Sequence, residues 1–348
     1  MVKKIVVITA CIFIFIVGWL INMVWDAGQF KSLTSHFAGS CRQVKGIVGA
    51  EDITIHPGTG IAYISVHDRR AAIAGKEAKA GIYTFDTTRT SASVELLTTG
   101  STSDFAPHGI SLYVGDDGQN KLFVVNHASG RHSIEVFNLV NGNTTHQKTI
   151  RDPLLISPND IVAVGPNKFY VTNDHKYSSG LMKTVEDYGR LSLSNVVYYD
   201  GSLFSEAATG FGYANGINIS PDNRTVYVAT TTAGSLHVLN RDLDSGKLTA
   251  QKTIELGTGL DNIEIDSKGD LWIGSHPKLL SFVGHSKDPE KLSPSQVLHL
   301  LPQNNYSFKE VYLNLGEELS GSSVAAVRGK RMLIGSVFDP RFLDCQMD

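Results

Sequence analysis

Six copies of one sequence pattern, spaced about 45 to 60 residues apart, constrain the fold of this chain more than any other feature. Each copy has a polar or acidic pair, an alternating apolar run, a turn and a second β-rich run. The copies are EDITIHPGTGIAYIS from Glu51, HGISLYVGDDGQNKLFVV from His108, NDIVAVGPNKFYVT from Asn159, NGINISPDNRTVYVA from Asn215, DNIEIDSKGDLWIG from Asp261 and a looser SSVAAVRGKRMLIG from Ser322. Alternation with a period of two predicts strands with one buried face, and the turn residues make each copy a hairpin. The repeat therefore predicts an all-β chain folded as a six-bladed β-propeller.

The polar pairs that open the copies predict a site. Equivalent strands of all blades surround one axis in a propeller, so these pairs should form a ring at one end of the central tunnel. The ring consists of Glu51, Asp52, His108, Asn159, Asp160, Asn215, Asp261 and Asn262. Buried carboxylates crowded together without a cation would repel each other, and calcium prefers several oxygen ligands. Calcium therefore suits this ring better than zinc does, although turn hydrogen bonds are an alternative role for its Asn and Asp side chains.

Length and charge exclude some classes of protein. The chain has 348 residues, which the repeat assigns to one large domain, and a formal net charge of −3. It has no basic stripe, so nucleic acid is not expected as a partner. The charged fraction of 19% is typical of a globular protein.

The N-terminus differs from the repeats. Lys3 and Lys4 precede an uncharged apolar run from Ile5 to Trp25, which is long enough to span a bilayer. Residues 1–25 are predicted to be a signal anchor or transmembrane helix, with a cleaved or retained secretory signal as the alternative. Residues 26–40 would form a stalk and 41–348 the propeller. Lysines on the short N-terminal side place the propeller on the lumenal or extracellular side, at the endoplasmic reticulum or the cell surface, or secreted if the segment is cleaved.

The cysteines and the glycosylation sequons agree with a location in the lumen or outside the cell. Cys41 precedes the first copy and Cys345 lies near the end of the last, so a disulfide between them would close the ring. The alternative is two free thiols. Sequons at Asn143 and Asn305 lie in polar segments and are candidates for glycosylation, whereas Asn218 lies within a predicted inner strand.

Two segments interrupt the strand pattern. Residues 67–81 are rich in Ala and Lys and form either a surface loop or a lid over the tunnel mouth. Residues 177–193 lack alternation, and their LMKTVEDYG portion predicts a short helix. Both segments could flank the same tunnel mouth.

The copies and the segments between them resemble the animal paraoxonase/arylesterase family. The resemblance runs from about Cys41 to Cys345 and is carried by EDITI, FAPHGIS, VVNH, NDIVAVGPNKFYVTNDH, ANGINISPD, LDNIEID and LWIGSHP. Members of this family are six-bladed propellers with two calcium ions in the tunnel. They hydrolyse lactones, aryl esters and some organophosphates. They commonly keep a hydrophobic N-terminus and a ring-closing disulfide.

The resemblance also implies roles for individual residues. The catalytic calcium would be held by Glu51, Asn159, Asn215, Asp261 and Asn262. The structural calcium would be held by Asp52, Asp160 and the backbone carbonyl of Ile110. The histidine dyad of the family falls on His108 and His127. Asp174, His175 and His276 match residues close to that site. Residues 67–81 and 177–193 depart from the family pattern, so the resemblance does not determine the substrate.

The reaction implied by the resemblance is calcium-dependent hydrolysis of lactones and carboxylic or aryl esters. Calcium would polarise the carbonyl, His108 would take a proton from the attacking water, and His127 would relay it outward. The chain contains no G-x-S-x-G motif, which disfavours a covalent serine esterase. Two alternatives remain. One is a non-enzymatic, calcium-stabilised, membrane-anchored propeller that assists membrane-protein assembly; the other is a gluconolactonase-like sugar lactonase.

Overall fold

A computed structural model describes residues 2–98, 105–115, 118–140 and 142–348. Within these residues the strands form six antiparallel sheets, which confirms the six-bladed all-β propeller. Turn residues 116–117 of the second copy lie outside the described part of the chain. Each of the six copies contributes the two innermost strands of one blade, so the hairpin predicted from the repeat is the inner half of each sheet.

The strands that precede the first blade are β1 (His36–Phe37) and β2 (Gly39–Lys45). Blade 1 contains β3 (Ala50–Ile55), β4 (Ile61–His67), β5 (Ala80–Asp86) and β6 (Glu95–Leu96). Blade 2 contains β7 (Pro107–Val114), β8 (Asn120–Asn126), β9 (Ser133–Val140) and β10 (Asn143–Ile150). Blade 3 contains β11 (Pro158–Gly165), β12 (Lys168–Asn173), β13 (Ser194–Tyr199) and β14 (Phe204–Phe211).

Blade 4 contains β15 (Ala214–Ile219), β16 (Thr225–Thr230), β17 (Ser235–Arg241) and β18 (Leu248–Glu255). Blade 5 contains β19 (Gly259–Ile265), β20 (Leu271–His276), β21 (Ser295–Leu301) and β22 (Ser307–Asn314). Blade 6 contains β23 (Ser322–Arg328), β24 (Arg331–Ser336) and β25 (Arg341–Met347). Short 3₁₀ turns span Ala128–Gly130 and Pro302–Asn304.

The N-terminal part of the chain closes the ring. β2 pairs with β25 as the outer strand of blade 6, and Cys41 and Cys345 are register partners joined by a disulfide of 2.07 Å. β1 pairs with β22 at the outer edge of blade 5, so the segment predicted as a stalk is in contact with the propeller. Among the described residues, Cys11 is a free and exposed cysteine.

Every inner strand has a register shift where its copy begins. The shifts fall between Ala50 and Asp52, Pro107 and Ile110, Pro158 and Ile161, Ala214 and Ile217, Leu260 and Ile263, and Ser322 and Val324. Adjacent residues of a regular strand point to opposite faces, whereas a bulge re-aims a side chain. The bulges therefore let both members of a pair face the tunnel.

Two glycines let neighbouring inner strands approach closely at the same level. A Cβ atom on Gly109 would lie 2.5 Å from the Cα atom of Asp160. A Cβ atom on Gly216 would lie 2.4 Å from the carbonyl oxygen of Asp261. Any side chain at these two positions would separate the blades where the polar pairs meet.

Helices occupy the end of the propeller where the polar pairs lie. The helices are α1 (Val2–Asp26), α2 (Arg69–Ile73), α3 (Gly180–Gly189) and α4 (Leu279–Lys287). α2, α3 and α4 connect the second and third strands of blades 1, 3 and 5, and α3 confirms the helix predicted in residues 177–193. α1 is long and apolar enough to cross a membrane, and its span from Val7 to Asp26 has a mean hydropathy of 2.5.

Candidate active site

The predicted ligand residues lie on the bulged starts of the inner strands and are buried. Asn262 Nδ2 donates to Glu51 Oε1 at 2.8 Å, which joins blade 5 to blade 1. Asp52 Oδ2 accepts from the backbone N–H of Ile110 at 2.7 Å, which joins blade 1 to blade 2. The exposed fractions are 1% for Glu51 and Asn262, 2% for Asp52, and 3% to 5% for Asn159, Asp160, Asn215 and Asp261. The fold thus brings the ring residues of separate blades together.

Four side-chain oxygens of this set are buried without a hydrogen-bond partner among the described residues. They are Glu51 Oε2, Asn159 Oδ1, Asn215 Oδ1 and Asn262 Oδ1. The amide nitrogens of Asn215 and Asn159 do have partners, because they donate to Thr231 Oγ1 at 3.0 Å and to Asp174 Oδ2 at 3.2 Å. Each amide is therefore oriented with its oxygen unpaired. Unpaired buried acceptors are costly, and a cation that prefers oxygen ligands would satisfy all four.

Asp52 and Asp160 form a second level of the ring. Asp160 accepts from the backbone N–H groups of Ile161 at 2.7 Å and Ile217 at 2.8 Å, so it links blades 3 and 4. Burial and the neighbouring carboxylates raise the pKa of Asp52 and of Asp160 well above the ordinary value. Both side chains line a cavity of about 570 Å³ in the opposite half of the tunnel. This crowding of acidic groups is the situation that a bound cation relieves.

Glu51 lies close to the side chains of His108 and Arg69. Its Oε1 lies 3.5 Å from His108 Nε2 and its Oε2 lies 3.7 Å from Arg69 Nη2. Burial alone would raise the pKa of Glu51, but His108, Arg69 and Asn262 hold it at about 2. Arg69 comes from α2 in the inserted segment 67–81, and the Nη atoms of its guanidinium are buried without a hydrogen-bond partner in the described part of the chain. The segment predicted as a surface loop or a lid thus places a guanidinium group beside Glu51.

A chain of three histidines leads away from the ring. His108 Nδ1 lies 2.8 Å from His127 Nε2, and His127 Nδ1 lies 2.9 Å from His132 Nδ1. Burial, followed by the neighbouring His108, lowers the pKa of His127 well below its ordinary value. His127 therefore carries no charge at neutral pH. His132 is partly exposed, and the connection between β8 and β9 holds it beside the dyad predicted from the sequence.

Asp174, His175 and His276 also lie close to the ring. His276 Nε2 lies 2.8 Å from Asp261 Oδ2, and His175 Nδ1 lies 2.5 Å from Asp174 Oδ1. Burial opposes the charged form of His175, but the carboxylates of Asp174 and Asp187 raise its pKa to about 9 even though Lys183 also faces it. Burial likewise opposes ionisation of Asp174, whose hydrogen bonds hold its pKa at about 2. His276 thus orients the carboxylate of Asp261, and Asp174 orients the amide of Asn159.

A cavity of about 370 Å³ lies between the helices at this end of the propeller. α1, α3 and α4 contribute to its wall, together with Tyr213 and Thr231 from blade 4. Because Thr231 accepts from Asn215, this cavity adjoins the ring. The end of α1 is held here, since the backbone N–H of Leu279 donates to the carbonyl of Ala27 at 2.9 Å and Arg190 pairs with Asp26. The hydrophobic helix and the tunnel mouth therefore lie at the same end of the molecule.

A separate group of acidic and histidine side chains lies on blade 5. Ligand atoms of Asp266, Asp270 and His299 lie within 4.8 Å of one another. Their carboxylates already accept from protein groups, including Trp272 Nε1 and Gln303 Nε2. This group lies outside the ring that the sequence predicted.

Arg69 and His132 were not predicted from the sequence. Arg69 lies 18 positions after Glu51, in a segment recognised only as an interruption of the strand pattern. His132 follows His127 by five residues, and this spacing was a usable signal once the β8–β9 connection was placed at the site end. Tyr213, with a left-handed φ of 61° and its ring 4.8 Å from that of His175, was also not predicted.

Comparisons with known proteins agree on one family. Residues 32–347 match the family model of arylesterases. Serum paraoxonase/arylesterase 2 of Rattus norvegicus is 40% identical over 324 residues, which are 88% of this chain and 89% of that protein. Serum paraoxonase/arylesterase 1 of Homo sapiens is 38% identical over 319 residues, again 88% and 89% of the two chains.

Solved structures share the propeller at lower sequence identity. A gluconolactonase from Xanthomonas campestris is 15% identical with a TM-score of 0.55, covering 90% of this chain and 91% of that chain. A regucalcin from Agrobacterium tumefaciens is 14% identical with a TM-score of 0.51, covering 90% and 96%. At these identities the likeness is one of fold.

Proposed function

Because the chain belongs to the paraoxonase/arylesterase family, we propose that it is a calcium-dependent hydrolase of lactones and aryl carboxylic esters. One observation carries the proposal. Among the described residues, four buried oxygens without a hydrogen-bond partner come from four different blades, on Glu51, Asn159, Asn215 and Asn262, and the other carboxylate oxygen of Glu51 lies 3.5 Å from His108 Nε2. An oxygen-lined cation site next to a histidine is what hydrolysis assisted by a Lewis acid requires.

Two levels of the ring suit two calcium ions. The ligands proposed for the catalytic ion are Glu51, Asn159, Asn215, Asp261 and Asn262. The ligands proposed for the structural ion are Asp52, Asp160 and the backbone carbonyl of Ile110. When bound, the catalytic ion supplies the positive charge that polarises the ester carbonyl and stabilises the developing oxyanion.

The side chains of the protein provide the proton transfer. His108 Nε2 faces the ring, so we assign it to accept a proton from the attacking water. His108 Nδ1 contacts His127 Nε2, which allows the proton to move away from the tunnel. Neutral His127 can accept that proton because its lowered pKa keeps its lone pair free at neutral pH. His276 and Asp174 would hold their ring partners in place from outside the ligand set.

The cavity of about 370 Å³ beside α1 is the proposed substrate pocket. Its wall includes Met23, Leu279, Phe282 and Val283, which favour an apolar substrate group. Since α1 ends at this pocket, anchoring by residues 1–25 would place the tunnel mouth near the bilayer surface. We propose that the propeller, residues 41–348, faces the lumen or the outside of the cell.

Glycosylation at Asn143 and Asn305 accords with that location. Both residues are exposed, Asn143 at the start of β10 and Asn305 in a turn. Asn218 is a poor acceptor because its side chain donates to the carbonyl of Ile263 at 2.7 Å within the inner strands. The non-enzymatic assembly role is not favoured, because family membership and the adjoining histidine chain both point to hydrolysis.

The test uses full-length protein purified in detergent and a panel of lactones and aryl acetates. Turnover should require added calcium, stop after chelation, and fall at least about 100-fold in His108→Gln. The matched control is His36→Gln, which makes the same chemical change on the exposed strand β1. Full turnover in chelator, or in His108→Gln, would overturn this assignment. Calcium-dependent melting temperatures of all variants report whether the fold and the ring remain intact.

A further inference from the structure

We propose that His132 is the outermost residue of a proton relay of three histidines that starts at His108 and passes through His127. This inference rests on the proposed hydrolytic function. The two contacts that define the relay, His108 Nδ1 to His127 Nε2 and His127 Nδ1 to His132 Nδ1, are 2.8 and 2.9 Å long. Both are within hydrogen-bond range for ring nitrogens. His132 is not part of the family motifs by which the chain was recognised.

The protons of the three rings can be placed so that each contact pairs one donor with one acceptor. Each neutral imidazole has one N–H and one lone pair, so each contact needs one donor and one acceptor. In the first arrangement the protons lie on His108 Nδ1, His127 Nδ1 and His132 Nε2. In the second they lie on His108 Nε2, His127 Nε2 and His132 Nδ1. The first arrangement leaves the lone pair of His108 Nε2 free for the attacking water.

Passage of one proton converts the first arrangement into the second. Water gives a proton to His108 Nε2, His108 Nδ1 gives one to His127 Nε2, and His127 Nδ1 gives one to His132 Nδ1. His132 Nε2 then releases its proton to solvent. When the ester C–O bond breaks, His108 Nε2 protonates the leaving alkoxide, and the chain refills from solvent through His132. The carboxylic acid product ionises, so each turnover releases one net proton.

The position of His132 fits an exit to solvent. His127 lies between the other two rings, and His132, the last ring of the series, is partly exposed on the β8–β9 connection. The titratable groups that face His132 are His127, His108 and Asp174, and burial lowers the pKa of His132 below its ordinary value. A neutral His132 is suited to pass a proton on, because it keeps an acceptor nitrogen towards His127.

The experiment compares two variants in weakly and strongly buffered solution, using the full chain in detergent with saturating calcium. His132→Gln keeps hydrogen-bonding capacity but cannot transfer a proton, and His132→Ala leaves space for added imidazole. At low buffer concentration kcat should fall on the order of tenfold in both, with KM unchanged. Imidazole should restore kcat in His132→Ala but not in His108→Gln. His36→Gln should behave as the wild type.

Two kinetic outcomes separate the relay from the function on which it depends. No calcium-dependent turnover in the wild type would refute the proposed function and the relay together. Wild-type turnover in both His132 variants at every buffer concentration, with loss in His108→Gln, would refute the relay alone.

Nitrogen-15 spectra of histidine-labelled, calcium-loaded protein provide a readout that does not depend on activity. They should show the first arrangement, with N–H on His127 Nδ1 and His132 Nε2. The ring-nitrogen shifts of His127 should move in His132→Gln, because one of its two hydrogen-bond partners changes. Unchanged His127 shifts in that variant would overturn the contact on which the relay depends.

Discussion

Replacing Cys41 and Cys345 together by alanine should open the ring at the point where its ends are joined. The disulfide closes a loop with a sequence separation of 304 residues. The chain-entropy relation for cross-links predicts a loss of about 6 kcal/mol for a loop of that length. With an unfolding entropy of about 2.1 cal/mol/K per residue over the 304-residue loop, this loss lowers the melting temperature by about 9 °C.

Scanning calorimetry of the full-length protein in detergent measures the effect. Calcium must be held at the same saturating concentration in every sample, because ligand binding also raises the melting temperature. Cys11→Ala is the matched control, since it removes a free, exposed cysteine from α1. The control should melt with the wild type.

The double variant should remain active below its lowered melting temperature. β2 still pairs with β25 in the double variant, so the blade can form and calcium-dependent turnover should survive below the new melting temperature. A decrease of less than about 2 °C would refute the argument, because it would mean that strand pairing already restrains the chain ends or that the unfolded chain gains little freedom.

Three further outcomes are expected. His175→Gln should destabilise the protein by about 3 kcal/mol below pH 6.5, because the pKa of His175 in the folded protein, about 9, lies above its ordinary value. This difference in stability should disappear as the pH rises towards 9. Melting curves recorded at a series of pH values measure it. Arg69→Ala should tighten calcium binding by about tenfold or more, because the substitution removes a positive charge beside Glu51. Arg69→Lys keeps that charge and should bind calcium about as tightly as the wild type. Calorimetric titration measures both affinities. Asn143→Gln and Asn305→Gln should each remove one glycan from protein made in a secretory pathway, seen as a mass difference lost after glycosidase treatment, whereas an unchanged mass would exclude that sequon.

Local chemistry made the blades predictable. Alternating apolar residues and turn residues act within a few positions of each other, so each copy specifies its own hairpin. The six copies predicted six blades, and α3 was predicted because its segment lacks alternation. The polar pairs were located in the same way, since they open each copy.

The direction in which the side chains of those pairs point was not predictable from the alternation of apolar residues. On a regular strand the side chains of Glu51 and Asp52 would point to opposite faces. The register shift between Ala50 and Asp52 changes their directions, and no residue pattern predicted that shift. The unpaired orientation of Asn215 depends on Thr231, which belongs to the connection after the second strand of its blade. Contacts of this kind depend on how separate connections pack together, which a local sequence pattern does not specify.

The sequence by itself therefore determined the six blades, the ring of oxygen-bearing side chains and the apolar N-terminal helix, because each follows from a pattern of neighbouring residues. Only the tertiary structure decided that helices from blades 1, 3 and 5 cover the ring, that Arg69 enters it, and that His132 extends the dyad. These features arise where connections between the second and third strands meet at one end of the tunnel. Their proximity is a property of ring closure, which brings together residues that share no local pattern.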